Sequence, residues 1–410
     1  MLRLTLNSSI QKTALTKHKK LLLEAKKKLE KDPKHEFETL PFQDISNLKN
    51  ELKSYVKDFS DIAIVGIGGS ILGTEVLYHS LFKHNKGLPK FHFIDSIEPT
   101  FIEAFGEKLS NKKKTLFIFA SKSGDTLEIL SLYRLIIAGA SKWFGKAWKN
   151  HIMIITENKK GFLYKEAVKN KFKLFELPKN VGGRFSVLTN IGLVPATLMN
   201  IDTEALLKGA AKSVNSVNKS FLNSLPARLA SLMYEMYRKK NKDIFFFFAY
   251  ADFLKYFNRW VIQLISESLG KNSKTGPLPA TAVGPKDQHS MLQLILDGPK
   301  NKFVTFLELE KNHKDFKIGK LSFSQILQAE KKGTQHAMTK KKVPNVTVSL
   351  EQLDEENIGE LLFVYEEAIA LLGYMLKINP FNQPAVELGK KATMEILNKI
   401  KGNNLKQWQK

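Results

Sequence analysis

Ser121, Lys122, Ser123 and Thr126 lie close together in the segment ASKSGDT, Ala120–Thr126. Three hydroxyls and one ammonium around Gly124 are donors for phosphate oxygens. Backbone N–H groups left open at a helix start, with the positive end of its dipole, serve the same anion. Ser and Asp before a helix also act as plain N-caps, and both readings stand at this point. Four more stretches carry reactive types. In VGGRFS, two glycines precede Arg184 and let the backbone aim a guanidinium at developing negative charge; the alternative is a surface salt bridge. In SESLGK, Glu267 stands where a helix ends against Gly270, as a general base or an exposed acid. In DQHS, His289 is a proton carrier or a structural histidine. Lys390 follows FNQPAVELG and either enters a site or caps a surface.

The elements that must hold these residues follow from hydrophobic periodicity. Leu116–Ala120 is a continuous apolar run, suited to a strand buried on both faces, and Leu127, Ile129, Leu130 and Leu132 then recur at helical spacing. Upstream, DIAIVGIGGSIL repeats the design. Ile62–Val65 forms a strand, Gly66, Gly68 and Gly69 a turn with Ser70 in it, and a helix runs from about Gly73 to Phe82. The glycine phasing is not that of a dinucleotide fingerprint, although Asp95 ends the next strand, where a ribose-binding acid would sit. Strands near His151–Thr156 and Lys173–Pro178 alternate with helical stretches, which predicts a doubly wound parallel sheet. A second α/β unit follows, with strands at Ile244–Tyr250, Phe303–Leu309 and Val346–Leu350 and an apolar helix from about Glu355 to Ile378. The expected organisation is a helical N-terminal segment (1–55), a first α/β domain (56–200), a second (201–378) and a C-terminal loop and helix (379–410).

The chain has 410 residues, 64 Lys and Arg against 40 Asp and Glu, a formal charge of +24 and no cysteine. The absence of cysteine excludes disulfides and thiolate metal sites and is compatible with a reducing compartment. The basic surplus is mostly lysine in short scattered runs, without the clustered arginine and interleaved aromatics of nucleic-acid readers, so it is read as a solvated surface and no nucleic-acid partner is expected. No segment approaches the roughly 20 apolar residues of a membrane span, and the N-terminus lacks a signal-peptide core. A cytoplasmic protein with no membrane partner is expected.

Taken in order, GIGGS at Ser70, ASKSGDT, VGGRFS at Arg184, SESLGK at Glu267, DQHS at His289 and FNQPAVELGK at Lys390 resemble the phosphoglucose isomerase family, from about Ile62 to Lys391. The resemblance implies two sugar isomerase (SIS) domains, each a three-layer α/β/α parallel sheet. It implies a homodimer and reversible interconversion of glucose 6-phosphate and fructose 6-phosphate in glycolysis and gluconeogenesis, with no metal or redox cofactor. By position, Ser121, Lys122, Ser123 and Thr126 would hold the phosphate, Gly69 and Ser70 would line the sugar site, and Gln383 would be a further substrate contact. Arg184 would stabilise the enediolate and Glu267 would carry the proton between C1 and C2. His289, donated across the dimer interface, and Lys390 would open the ring. The chain departs from the family at Asp287, where many members have glycine, and at Lys179 and Asn180, where acidic and aromatic residues are common. Two other readings stay open: a SIS isomerase acting on mannose 6-phosphate, and a non-catalytic sugar-phosphate sensor.

Overall fold

The computed structural model describes residues 2–7, 10, 14, 17–83, 87–159 and 161–400; the last ten residues of the expected C-terminal segment lie outside them. Among the described residues, twelve strands occur in the order β1 (Arg3–Leu6), β2 (Asp61–Val65), β3 (Lys90–Ile94), β4 (Thr115–Ala120), β5 (Ile152–Glu157), β6 (Lys173–Leu177), β7 (Ile244–Tyr250), β8 (Leu278–Val283), β9 (Lys302–Leu309), β10 (Lys317–Ile318), β11 (Leu321–Ser322) and β12 (Asn345–Leu350). They belong to two compact units. One comprises Ser46–Thr74, Lys83–Met199 and Phe381–Lys410; the other comprises Met1–Ile45, Glu75–Phe82 and Asn200–Pro380.

In the first of these units the sheet order is β3-β2-β4-β5-β6, all parallel. Every residue of β2, β4 and β5 is buried, which is why these strands are apolar runs rather than alternating patterns. Counted from the unit's own first strand, the order is 2-1-3-4-5. The chain therefore reverses direction between β2 and β4, and loops leaving that pair open a crevice at the carboxyl end of the sheet. This order is not the 3-2-1 arrangement of a dinucleotide fold, and it puts GIGGS and SKSGDT at the reversal point.

The other unit repeats the plan. Its sheet runs β1-β12-β9-β7-β8, parallel except for β1, which pairs antiparallel with β12. The aromatic β7, IFFFFAY, is buried from its second residue onward. Helix Glu355–Met375 is buried along almost its whole length, as its apolar composition predicts. The α/β class with doubly wound parallel sheets is as expected from the sequence, with two differences. The N-terminal segment is not purely helical: Arg3–Leu6 is an edge strand, too short for its alternation to register as a signal. β8 contains Pro279, which cannot donate to a ladder and reads as a strand breaker, and the structure tolerates it because β8 is an edge strand too.

Helix Lys19–Leu29 follows its periodicity, with Leu22, Ala25 and Leu29 buried and lysines turned outward. His35 Nε2 pairs with Glu367 at 2.9 Å, tying the N-terminal segment to helix Glu355–Met375. No helix among the described residues is long and apolar enough to cross a membrane.

Candidate active site

The SKSGDT loop leaves β4 and enters helix Leu127–Phe144, whose N-cap is Thr126. The Thr126 side chain makes no cap hydrogen bond to that helix; its hydroxyl lies 2.9 Å from Ser121 Oγ instead. Gly124 N–H donates to Ser121 Oγ, and Ser123 Oγ accepts from Asp125 N–H, each at 3.2 Å. Asp125 turns to a neighbouring helix instead: its Oδ1 accepts from Phe162 N–H at 2.8 Å, in the first turn of Gly161–Asn170. The plain-cap reading therefore does not hold for helix Leu127–Phe144: Asp125 binds the neighbouring helix, and the hydroxyls of Ser121 and Thr126 face each other at the helix entrance. Gly161 has φ +71°, and a Cβ there would overlap the Ser123 carbonyl oxygen, so the loop after β5 lies directly against this one.

Lys122 sits differently from a simple phosphate ligand. Its Nζ donates to the Lys179 carbonyl at 2.9 Å and to the Val181 carbonyl, clamping the segment that leads into VGGRFS. The family departures at Lys179 and Asn180 leave this clamp intact, because it uses backbone carbonyls and no side chain at either position.

The other two glycine turns meet. A Cβ on Gly69 would overlap the Gly183 carbonyl group and crowd Arg184 N, so only glycine permits this approach. Ser186 Oγ donates to the Gly183 carbonyl at 2.6 Å and to the Gly69 carbonyl at 3.3 Å. Ser70 follows at the partly buried end of the GIGGS turn. Arg184 is only 3% exposed. Its Nη1 donates to Gln383 Oε1 at 2.9 Å and its Nη2 to the Asn382 carbonyl at 3.3 Å, while Phe185 packs on Phe381 with centroids 5.1 Å apart. The sequence alternative of a surface Arg is therefore not what is found: FNQP folds onto VGGRF and fixes the guanidinium. Lys390, one turn into helix Val386–Ile400, is exposed and its Nζ pairs with Glu387 Oε1 at 2.7 Å.

Glu267 and His289 are carried by the unit built on β7. Glu267 is half-buried in the last turn of helix Lys255–Leu269, and the Lys271 ammonium donates to its backbone carbonyl. Its carboxylate accepts from Gln263 Nε2 at 2.9 Å, and the other amide atom, Gln263 Oε1, is buried with no hydrogen-bond partner among the described residues. Gln263 was not singled out from the sequence; its spacing of four residues before Glu267, on the same helix face, was the available signal.

His289 is exposed at the end of the short turn Lys286–His289. Asp287 explains how the turn holds its shape without the family glycine: its carboxylate accepts from Val283 N–H at 2.7 Å and from Ser290 Oγ at 2.8 Å. Gln288 Nε2 donates to Tyr250 OH at 2.7 Å, anchoring the same turn to the end of β7.

The family model for phosphoglucose isomerase matches residues 50–409. The chain belongs to the phosphoglucose isomerase family. It is 37% identical to a glucose-6-phosphate isomerase of Methanocaldococcus jannaschii over 83% of this chain and 84% of that protein. A crystal structure of a hypothetical protein from Thermus thermophilus superposes with a TM-score of 0.89 at 31% identity, covering 97% of this chain and 100% of that one. A glucose-6-phosphate isomerase structure from Chlamydia trachomatis shares the fold, with a TM-score of 0.82 at 23% identity over 95% of this chain and 85% of that one.

Proposed function

We infer that the protein interconverts glucose 6-phosphate and fructose 6-phosphate. The observation that carries the reading is membership of the family over most of the chain, with Arg184, Glu267, His289 and Lys390 retained at the matching motifs. In this reading the phosphate dianion lies at the entrance to helix Leu127–Phe144, taking hydrogen bonds from Ser121, Ser123, Thr126 and backbone N–H groups, while Lys122 contributes positive charge and braces the Arg184 turn. Gly69 and Ser70 line the sugar. His289 and Lys390 move the protons that open the ring. The exposure of His289 on the single chain suits donation to a second copy, so the working form is a homodimer.

Glu267 removes the C2 proton of the open aldose and delivers it to C1, with the hydroxyl proton passing from O2 to O1, and reverses these steps for the ketose. Arg184, held by Gln383 and Asn382, stabilises the enediolate oxygen formed between them. Gln263 orients the Glu267 carboxylate. A role in glycolysis and gluconeogenesis in the cytoplasm follows from this activity.

The test is conversion of fructose 6-phosphate to glucose 6-phosphate by the purified protein in chelator-treated buffer. Mannose 6-phosphate is run in parallel and Glu267→Gln serves as the control. Turnover that is lost in the variant supports the reading, and the mannose arm defines its breadth. Binding of phosphate ester without conversion of either sugar overturns it in favour of a sensor.

A further inference from the structure

Away from the catalytic motifs, the unit built on β2–β6 contains a cavity of about 220 Å³ between its sheet and the helices Pro99–Lys108 and Leu127–Phe144. Every residue lining it is Ile, Leu, Phe, Trp or Gly. Ile102, Phe105, Phe117, Leu132, Ile136 and Phe144 form the main walls. Gly106 is part of the lining. A Cβ on Gly106 would meet nothing within 4 Å, so the wall that Ile102 and Phe105 form on this helix has open space at that one position. On the opposing helix, a Cβ on Gly139 would overlap the Trp143 indole, so the ring lies folded back against the helix backbone as part of the wall.

A buried water needs two to four polar partners, and the lining side chains supply none suited to the task. An apolar void of about 150 Å³ lined by Leu, Ile and Phe stays dry and accepts benzene. The present cavity is larger but opens to solvent on one side, and its walls include rings in edge-to-face order, with Phe105 and Phe117 centroids 6.4 Å apart at 79°. Leu135 and Trp143, 52% and 40% exposed, lie at its rim and offer a route in from solvent. We propose that this cavity is a binding site for a small uncharged apolar molecule of monocyclic aromatic size. The site is independent of the catalytic reading.

Benzene is the probe, added to the full-length protein while thermal unfolding and tryptophan emission are followed. The wild type shows a saturable rise in unfolding midpoint and a saturable change in emission; Trp143→Phe keeps the first and loses most of the second. Gly106→Leu adds a side chain at the open position of the wall, raises the midpoint without ligand and abolishes the benzene-dependent rise. Should that variant not fold, Leu109→Phe occupies the same space from the end of the helix and is expected to behave alike. No midpoint shift in the wild type, or an undiminished shift in a folded filling variant, overturns the proposal.

Discussion

Glu267 and Arg184 are each oriented by a side-chain amide, and the two arrangements lead to different expectations. The Gln263 N–H bond to Glu267 holds the carboxylate in one rotamer on the helix. Glu267→Gln removes the proposed base while keeping the shape, and should lower kcat by about 10²- to 10⁴-fold with KM nearly unchanged, as read by steady-state kinetics. Gln263→Ala should act in the same direction but less strongly, since the carboxylate remains and only its orientation is lost. Arg184 spans Gln383 and the Asn382 carbonyl through separate guanidinium nitrogens, a planar geometry that an ammonium cannot copy. Arg184→Lys should therefore lower kcat by about 10²- to 10³-fold, the range for removing one oxyanion donor. Retention of most of the turnover by either charge-site variant would remove that residue from the mechanism.

At the scale of elements, the candidate phosphate loop is positioned by its neighbours more than by its own sequence. Asp125 accepts from Phe162 N–H of helix Gly161–Asn170, Gly161 adopts a left-handed φ against the loop backbone, and Thr156 Oγ1 donates to the Ser121 carbonyl at 2.7 Å. Three adjoining elements thus share the strain of any change in the loop. Gly161→Ala should destabilise the protein by about 1–2 kcal/mol from the unfavourable φ alone. The displaced Ser123 carbonyl should also raise KM for the sugar phosphate. Denaturant unfolding and kinetics on the same sample separate the two effects. A variant that unfolds earlier with unchanged KM would show that the loop geometry does not depend on this contact.

At the scale of the whole molecule, two properties follow from where charges lie. Glu366 is fully buried in helix Glu355–Met375, and desolvation first, then the neighbouring Glu367 charge, raises its pKa well above the ordinary carboxylate value. A group whose folded pKa exceeds its unfolded value binds more protons when folded. It contributes stability that is complete below the unfolded value, near 4.5, and is lost as pH rises through the folded value. Glu366→Gln removes this loss, so its unfolding midpoint should exceed that of the wild type by an amount that grows as pH is raised. A constant difference at all pH values would remove Glu366 as the titrating group. His35 adds loss in the same sense. Burial, its largest influence, lowers its pKa, but the Glu367 hydrogen bond and the surrounding carboxylates raise it on balance, so its contribution fades above the ordinary histidine value of 6.5.

The proposed exchange of His289 between subunits gives the second property. Glu267→Gln and His289→Ala chains, each inactive, produce one intact site in a mixed dimer, so co-refolding equal amounts should restore about a quarter of wild-type activity by random pairing. No recovery would mean that each chain completes its own site.

Much of this was open to sequence reasoning because it depends on local pattern. Continuous apolar runs mark strands buried on both faces, and β2, β4, β5 and β7 were readable for that reason. The motifs at Arg184, Glu267, His289 and Lys390 were readable because reactive types stand beside glycine or proline punctuation. What the chain order could not convey was which loops meet. The contact of Gly69 with Gly183, the bond from Arg184 to Gln383 across 199 positions and the lysine clamp on the Val181 carbonyl join segments whose residue types alone do not name their partners. β1 and the Pro279-bearing β8 were hidden for a related reason. An edge strand carries little pattern of its own, and its pairing is decided by the neighbouring strand that the tertiary fold places beside it.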